Sequence, residues 1–207
     1  MYARTEAEEI AQILKEAEWD YKIFFRSNDE FTRSNFIETL TSKTWGIVHF
    51  IGHGQFVSES PSYSNIRFDD SILTVKELSN IAFTDGSLFF LDACVGARPS
   101  IRGSVLNACE TAMTSQRKLE SEGLWRGLIG GGYTHFIGCN WEIGDDVASH
   151  SAKLFYENTI KHKMPIADAL LNIRKQLSKE PLNPDHRPQT MEDSVYAFYG
   201  VPNATIV

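Results

Sequence analysis

A histidine, His53, stands between two glycines at the end of the apolar run "IVHFIGHGQF", and a cysteine, Cys94, closes a second such run, "GSLFFLDAC". Together these residue types make a nucleophile. The thiolate attacks a carbonyl carbon, while a histidine within hydrogen-bond reach takes the thiol proton or pairs with the thiolate as imidazolium. The two residues are 41 positions apart, so such chemistry requires two separate strands to end side by side. In open parallel sheets functional groups gather beyond the carboxyl ends of the strands, which is where both residues fall. Taken singly each has a plain reading, the histidine as a satisfied structural residue and the cysteine as a small inert hydrophobe. Their matched positions at two strand ends carry the chemical reading.

The neighbours fit the same chemistry. Gly54 lets its backbone N–H approach a substrate closely, and with the N–H of Cys94 it can hold the oxyanion of a tetrahedral intermediate. One such donor lowers a barrier by roughly 3–4 kcal/mol. Gly52 allows a sharp turn that aims the ring out of the sheet. Asp92, two positions before Cys94, projects to the nucleophile's side of a strand because side chains alternate with period two. There it either lines a substrate pocket or bonds local backbone.

The surrounding pattern supplies the elements that must position these residues. "EAEEIAQILKEAEWD" places Ala7, Ile10, Leu14 and Ala17 on one face of an amphipathic helix. "YKIFF" reads as a short strand, and "SNDEFTRSNFIETLTS" as a capped helix carrying Phe31, Phe36, Ile37 and Leu40. "WGIVHFIG" and "GSLFFLDAC" are near-continuous apolar strands, the mark of burial on both faces in a parallel sheet. Between them lie short β-like pieces of a hairpin excursion and the small helix "TVKELSNI". The stretch from Val95 to Glu122 is long, polar and weakly patterned, as in a surface loop or active-site lid. A helix with a glycine stop, "GLWRGLIGGG", then leads to the strand "YTHFIGCNW" and the helices "DDVASHSAKLFYENTIKH" and "PIADALLNIRKQLSK". "DSVYAFYGVP" is a closing strand. This alternation predicts an α/β domain, a central mostly parallel β-sheet with helices on both faces. Such a domain normally opens on a strand, whereas this chain opens on a helix. The expectation is one domain over 1–207 whose first strand comes from an upstream segment or another chain.

Composition narrows the function classes. A chain of 207 residues with 42% apolar content builds one core. A formal net charge of −7 and a pI near 5.4 argue against a nucleic-acid groove and favour basic partners or substrates. No apolar stretch is long enough to span a membrane and the N-terminus lacks a signal-peptide layout, so the expected location is cytoplasmic. Cys94, Cys109 and Cys139 lie 15 and 30 residues apart, unlike paired zinc-ligand spacing. They read as core thiols with one reactive member, and Cys139, ending "HFIGC", as a core thiol. His135, His150, His162 and His186 are scattered and have no expected role in chemistry. Asp145 and Asp146 read as a helix-opening pair. No glycine fingerprint lies between a strand and a helix, which disfavours a nucleotide-binding domain.

"HFIGHG" and "FFLDAC" resemble the two signatures of caspase-like cysteine peptidases of clan CD, and more closely those of the bacterial CHAT domains found beside tetratricopeptide repeats. "EGLWRGLIGGGYTHFIGCNWEIGDDVASHSAKLFYENTI", "IADALLNIRKQL" and "VYAFYGVP" are similar to later parts of that family, so the likeness covers roughly residues 45–202. The resemblance implies a caspase-like fold, a His53–Cys94 dyad and hydrolysis of peptide bonds in a protein partner without metal or organic cofactor. It also implies control by a sensor or tetratricopeptide module or a partner chain, in bacterial antiviral defence or cell death. Metacaspases with an Asp at the place of Asp92 prefer Arg or Lys before the cut, and Trp141 stands where the family has a tryptophan near the substrate groove. "VLNACETA" is a second match to the nucleophile motif, which puts Cys109, 56 residues after His53, beside Cys94 as a candidate. Cys94 is preferred because "SLFFL" is a convincing buried strand. The alternative function is a catalytically silent scaffold of the same fold.

Overall fold

The computed structural model describes residues 2–26, 30–55, 57, 60–83, 86–92, 124–139, 144–179 and 196–206. Two helices, α1 (Tyr2–Glu16) and α2 (Arg33–Ser42), precede β1 (Ile47–Ile51). The excursion that follows holds β2 (His53–Gln55), β3 (Asn65–Arg67), β4 (Ile72–Thr74) and the one-turn helix α3 (Val75–Leu78). Then come β5 (Gly86–Asp92), α4 (Leu124–Gly130), β6 (Tyr133–Cys139), α5 (Asp145–Tyr156), α6 (Ile166–Lys179) and β7 (Tyr196–Tyr199). Residues Glu157–Lys161 continue α5 as a π-helical turn.

The apolar runs pair with one another. β1, β5, β6 and β7 form a four-stranded sheet in that order, with β1–β5 and β5–β6 parallel and β6–β7 antiparallel. β2, β3 and β4 form a separate antiparallel sheet. Side-chain alternation splits the large sheet between two cores. Ile137, Cys139 and Tyr196 pack with α1, α5 and α6 on one face. Phe50 and Phe136 pack with Leu40 of α2, Leu78 of α3, Leu128 of α4 and Ile66 of the small sheet on the other. Each fully buried Leu or Phe in these layers stabilises the fold by about 1.5–3 kcal/mol.

Short-range signals start and stop the elements. The Thr32 hydroxyl accepts from Asn35 N–H to cap α2. Thr74 and Glu77 form a reciprocal capping box on α3, and those hydrogen bonds hold the Glu77 carboxyl below the usual range. Gly132, just past α4, adopts φ +125°, which a side chain would make costly, so the glycine run ends the helix.

Two expectations need correction. "YKIFF", residues Tyr21–Phe25, forms no strand despite its β-forming residues, because a strand needs a hydrogen-bonding neighbour and none lies beside this stretch among the described residues. On α1 the buried positions are Glu6, Ile10 and Ile13, while Ala7 and Leu14 are only partly covered. The helix is therefore rotated from its apolar stripe, and a carboxylate enters the interior. The stretch from Val95 to Glu122 lies outside the described residues.

Candidate active site

The site begins with the register of two strands. Ile47 faces Leu88 and Ile51 faces Asp92 in the parallel β1–β5 pair, so the strands end level. His53 lies two residues beyond Ile51. Cys94, two residues beyond Asp92 in sequence, lies outside the described residues, as do Cys109, Trp141 and His186.

The chain changes sheets at Gly52. A Cβ there would lie 2.8 Å from the buried Phe50 ring, so this position needs a glycine for space. The bend hands His53 to the small sheet, where it pairs with Arg67 and is exposed to solvent. Gly54 is buried beside Ile66. Asp92 is the last residue of β5. His53 therefore follows the carboxyl end of β1 by two residues, exposed on the small sheet.

A second histidine of the same run was not singled out by the sequence reading. His49 lies inside the fold, its ring stacked on Tyr156 at 5.7 Å and 7°. Its Nδ1 lies 3.3 Å from the Tyr156 hydroxyl, and its Nε2 lies 3.3 Å from Oε1 of Glu6. Glu6 is only 2% exposed. Burial, reinforced by Asp145 and Glu9, pushes its carboxyl up to about 8. Burial also raises the Tyr156 hydroxyl, with a further contribution from Glu6. The cluster ties α1, β1 and α5 together. Its one sequence signal is the histidine inside an apolar strand, and nothing local reveals Glu6 as its partner.

Asp145, Asp146, Cys139 and His135 sit in helix-opening or packed positions. Asp145 and Asp146 open α5, where Asp146 Oδ1 accepts from Val147 N–H at 2.9 Å. Cys139 is a buried core thiol outside any disulfide. His135 stacks on Phe198 and its Nδ1 lies 2.7 Å from the Thr134 hydroxyl. Among the described residues no cluster of His, Cys, Asp and Glu suits a metal ion, and no helix is long and apolar enough to cross a membrane.

The comparison with protein families agrees with the motif reading. The CHAT domain model matches residues 1–191. No curated protein matches the chain. With nearly its whole length matched, the chain belongs to the CHAT domain family, which is of the caspase-like cysteine-peptidase type.

Proposed function

We propose that the protein is a cysteine endopeptidase with a caspase-like fold in which His53 activates the thiol of Cys94 to cut a protein partner. The observation that carries this reading is the level ending of β1 and β5: with Ile51 facing Asp92, a histidine and a cysteine each follow by two residues. The exposure of His53, against the burial of His49, supports its availability to substrate. In the proposed mechanism the thiolate of Cys94 attacks the scissile carbonyl, and the N–H groups of Gly54 and Cys94 stabilise the oxyanion. The imidazolium of His53 then protonates the leaving amine, and water hydrolyses the thioester with His53 as base. Acid–base and nucleophilic catalysis of this kind uses no metal or organic cofactor.

Asp92 is proposed to select Arg or Lys before the cut, because an apolar side chain would leave its carboxylate without a counter-charge. Trp141 is proposed to line the substrate groove. Control by a sensor or tetratricopeptide module or a partner chain, action in the cytoplasm and a role in bacterial defence follow from the family resemblance and belong to the same proposal.

The test is thiol mapping. Iodoacetamide at near-neutral pH, followed by mass spectrometry, should label Cys94 fastest, and His53→Ala should remove that advantage. Labelling centred on Cys109 would move the nucleophile there. Equally slow labelling of all three thiols would reject an activated dyad in the protein as tested and favour the silent scaffold.

A further inference from the structure

The small sheet presents His53 on an outward face whose other residues have no role in the mechanism above. In an antiparallel pair directly opposed residues point to the same side, with Cβ atoms about 4.5–5.5 Å apart. The register therefore puts Arg67 of β3 beside His53, and Ile72 of β4 beside Arg67, in one row across the three strands. All three are exposed, whereas the next row, Gly54, Ile66 and Leu73, is buried. That burial fixes the side of the sheet on which His53 and Arg67 stand together.

Charge sets Arg67 apart from its neighbours. Arg26 is tied to Asp69 at 2.6 Å and Arg33 to Glu77 at 2.9 Å, and Asp70 accepts from the Arg33 N–H at 3.1 Å. Arg67 has no ion-pair partner among the described residues. In a chain of formal net charge −7, this guanidinium stands without a carboxylate one strand away from the candidate catalytic histidine. A guanidinium presents a planar fork of donors that matches a carboxylate. Binding of a nucleic-acid backbone needs a run of such cations, and here Asp69, Asp70 and Glu77 border the one that is available.

We propose that Arg67 is a specificity residue of the same site, receiving a carboxylate carried by the first or second residue after the scissile bond. The inference rests on the peptidase reading, because His53 in that reading protonates the leaving amine and so lies beside the residue that departs. Arg67, opposed to His53 across one strand spacing, is within side-chain reach of that residue and the next. With Asp92 proposed for a basic residue before the cut, the preferred protein partner is basic on one side of the bond and acidic on the other.

The probe is a pair of internally quenched peptide libraries, randomised at one position and carrying either Glu or the isosteric Gln at both of the next two, with the cut located by mass spectrometry. The expected result is a kcat/KM about fivefold higher for Glu, the factor that an exposed ion pair of full strength gives. Arg67→Gln should equalise the two libraries and Arg67→Glu should reverse their order, with circular dichroism spectra unchanged. Arg67→Lys, which keeps the charge and loses the fork, should keep part of the preference. Equal values in the parent, or a preference that survives Arg67→Gln, would overturn the proposal. A second readout needs no turnover: the alkylation rate of Cys94 by anionic iodoacetate relative to neutral iodoacetamide. Arg67→Gln should lower that ratio by about twofold to threefold at low ionic strength, and an unchanged ratio would also overturn the proposal. A ratio that ignores Arg67 while labelling still depends on His53 removes only the role of Arg67. Labelling that ignores His53 removes the peptidase reading, and the role of Arg67 with it.

Discussion

His49 and His53 stand four residues apart in one apolar run and meet opposite fates. On an unbroken strand the period of two would place both on the same face. The bend at Gly52 instead leaves His49 between Tyr156 and Glu6 in the interior and hands His53 to the solvent edge of the small sheet. One ring packs between a strand and a helix, and the other is exposed to solvent. The difference comes from one glycine that makes room for the Phe50 ring.

The largest expected effect separates the two by activity. His53→Ala should reduce peptidase turnover, or the alkylation rate of Cys94, by about 10²–10⁴. An exposed substitution of this kind should leave unfolding free energy within about 0.5 kcal/mol of the parent, as denaturant titration would show. Unchanged labelling would remove His53 from the mechanism.

The next effect belongs to the interior cluster and depends on pH. Glu6 carries its proton up to about 8 when folded, against 4.5 for its ordinary value, so the folded state binds more protons across that window. Its contribution is full below pH 4.5 and is lost as pH rises through about 8. At about 1.4 kcal/mol per pK unit, the loss amounts to a few kcal/mol between roughly pH 5 and pH 8. Urea midpoints in that range should fall with pH for the parent and stay flatter for Glu6→Gln. A parent that gains stability over the same range would contradict the buried protonated carboxyl.

Gly52→Ala attacks the bend itself. The added methyl displaces the Phe50 ring and should cost about 1–3 kcal/mol by overpacking. Its consequence for His53 should appear as slower alkylation of Cys94 in protein that is still folded, a readout that a core defect elsewhere would not move. The smallest effect is expected for Tyr156→Phe, which keeps the ring stacked on His49 and removes the hydroxyl near Nδ1. The loss should be about 1 kcal/mol in thermal or urea unfolding, with no change at the candidate active site.

Legibility followed how local each cause was. The strands Ile47–Ile51 and Gly86–Asp92 stand out in the sequence because a strand covered on both faces has few polar positions. The Thr74 capping box and the Gly132 stop are likewise short-range devices with short-range signatures. Tyr21–Phe25 misled for the converse reason: its residues favour a strand, but pairing is a property of a neighbour and not of the segment. Glu6 misled because a carboxylate on an amphipathic helix is ordinarily a surface residue.

The sequence by itself determined the alternation of helices and strands, the candidate histidine and cysteine, and the family likeness, all of which depend on residue type and near spacing. Tertiary structure decided that β1 and β5 end level, that His49 turns inward and His53 outward, and that Glu6 is buried. The physical reason is that each of these depends on groups from distant parts of the chain. The packing of α1 against β1 and α5 sets the solvation of the Glu6 carboxyl, and strand register, fixed by pairing, sets which side chains share an edge.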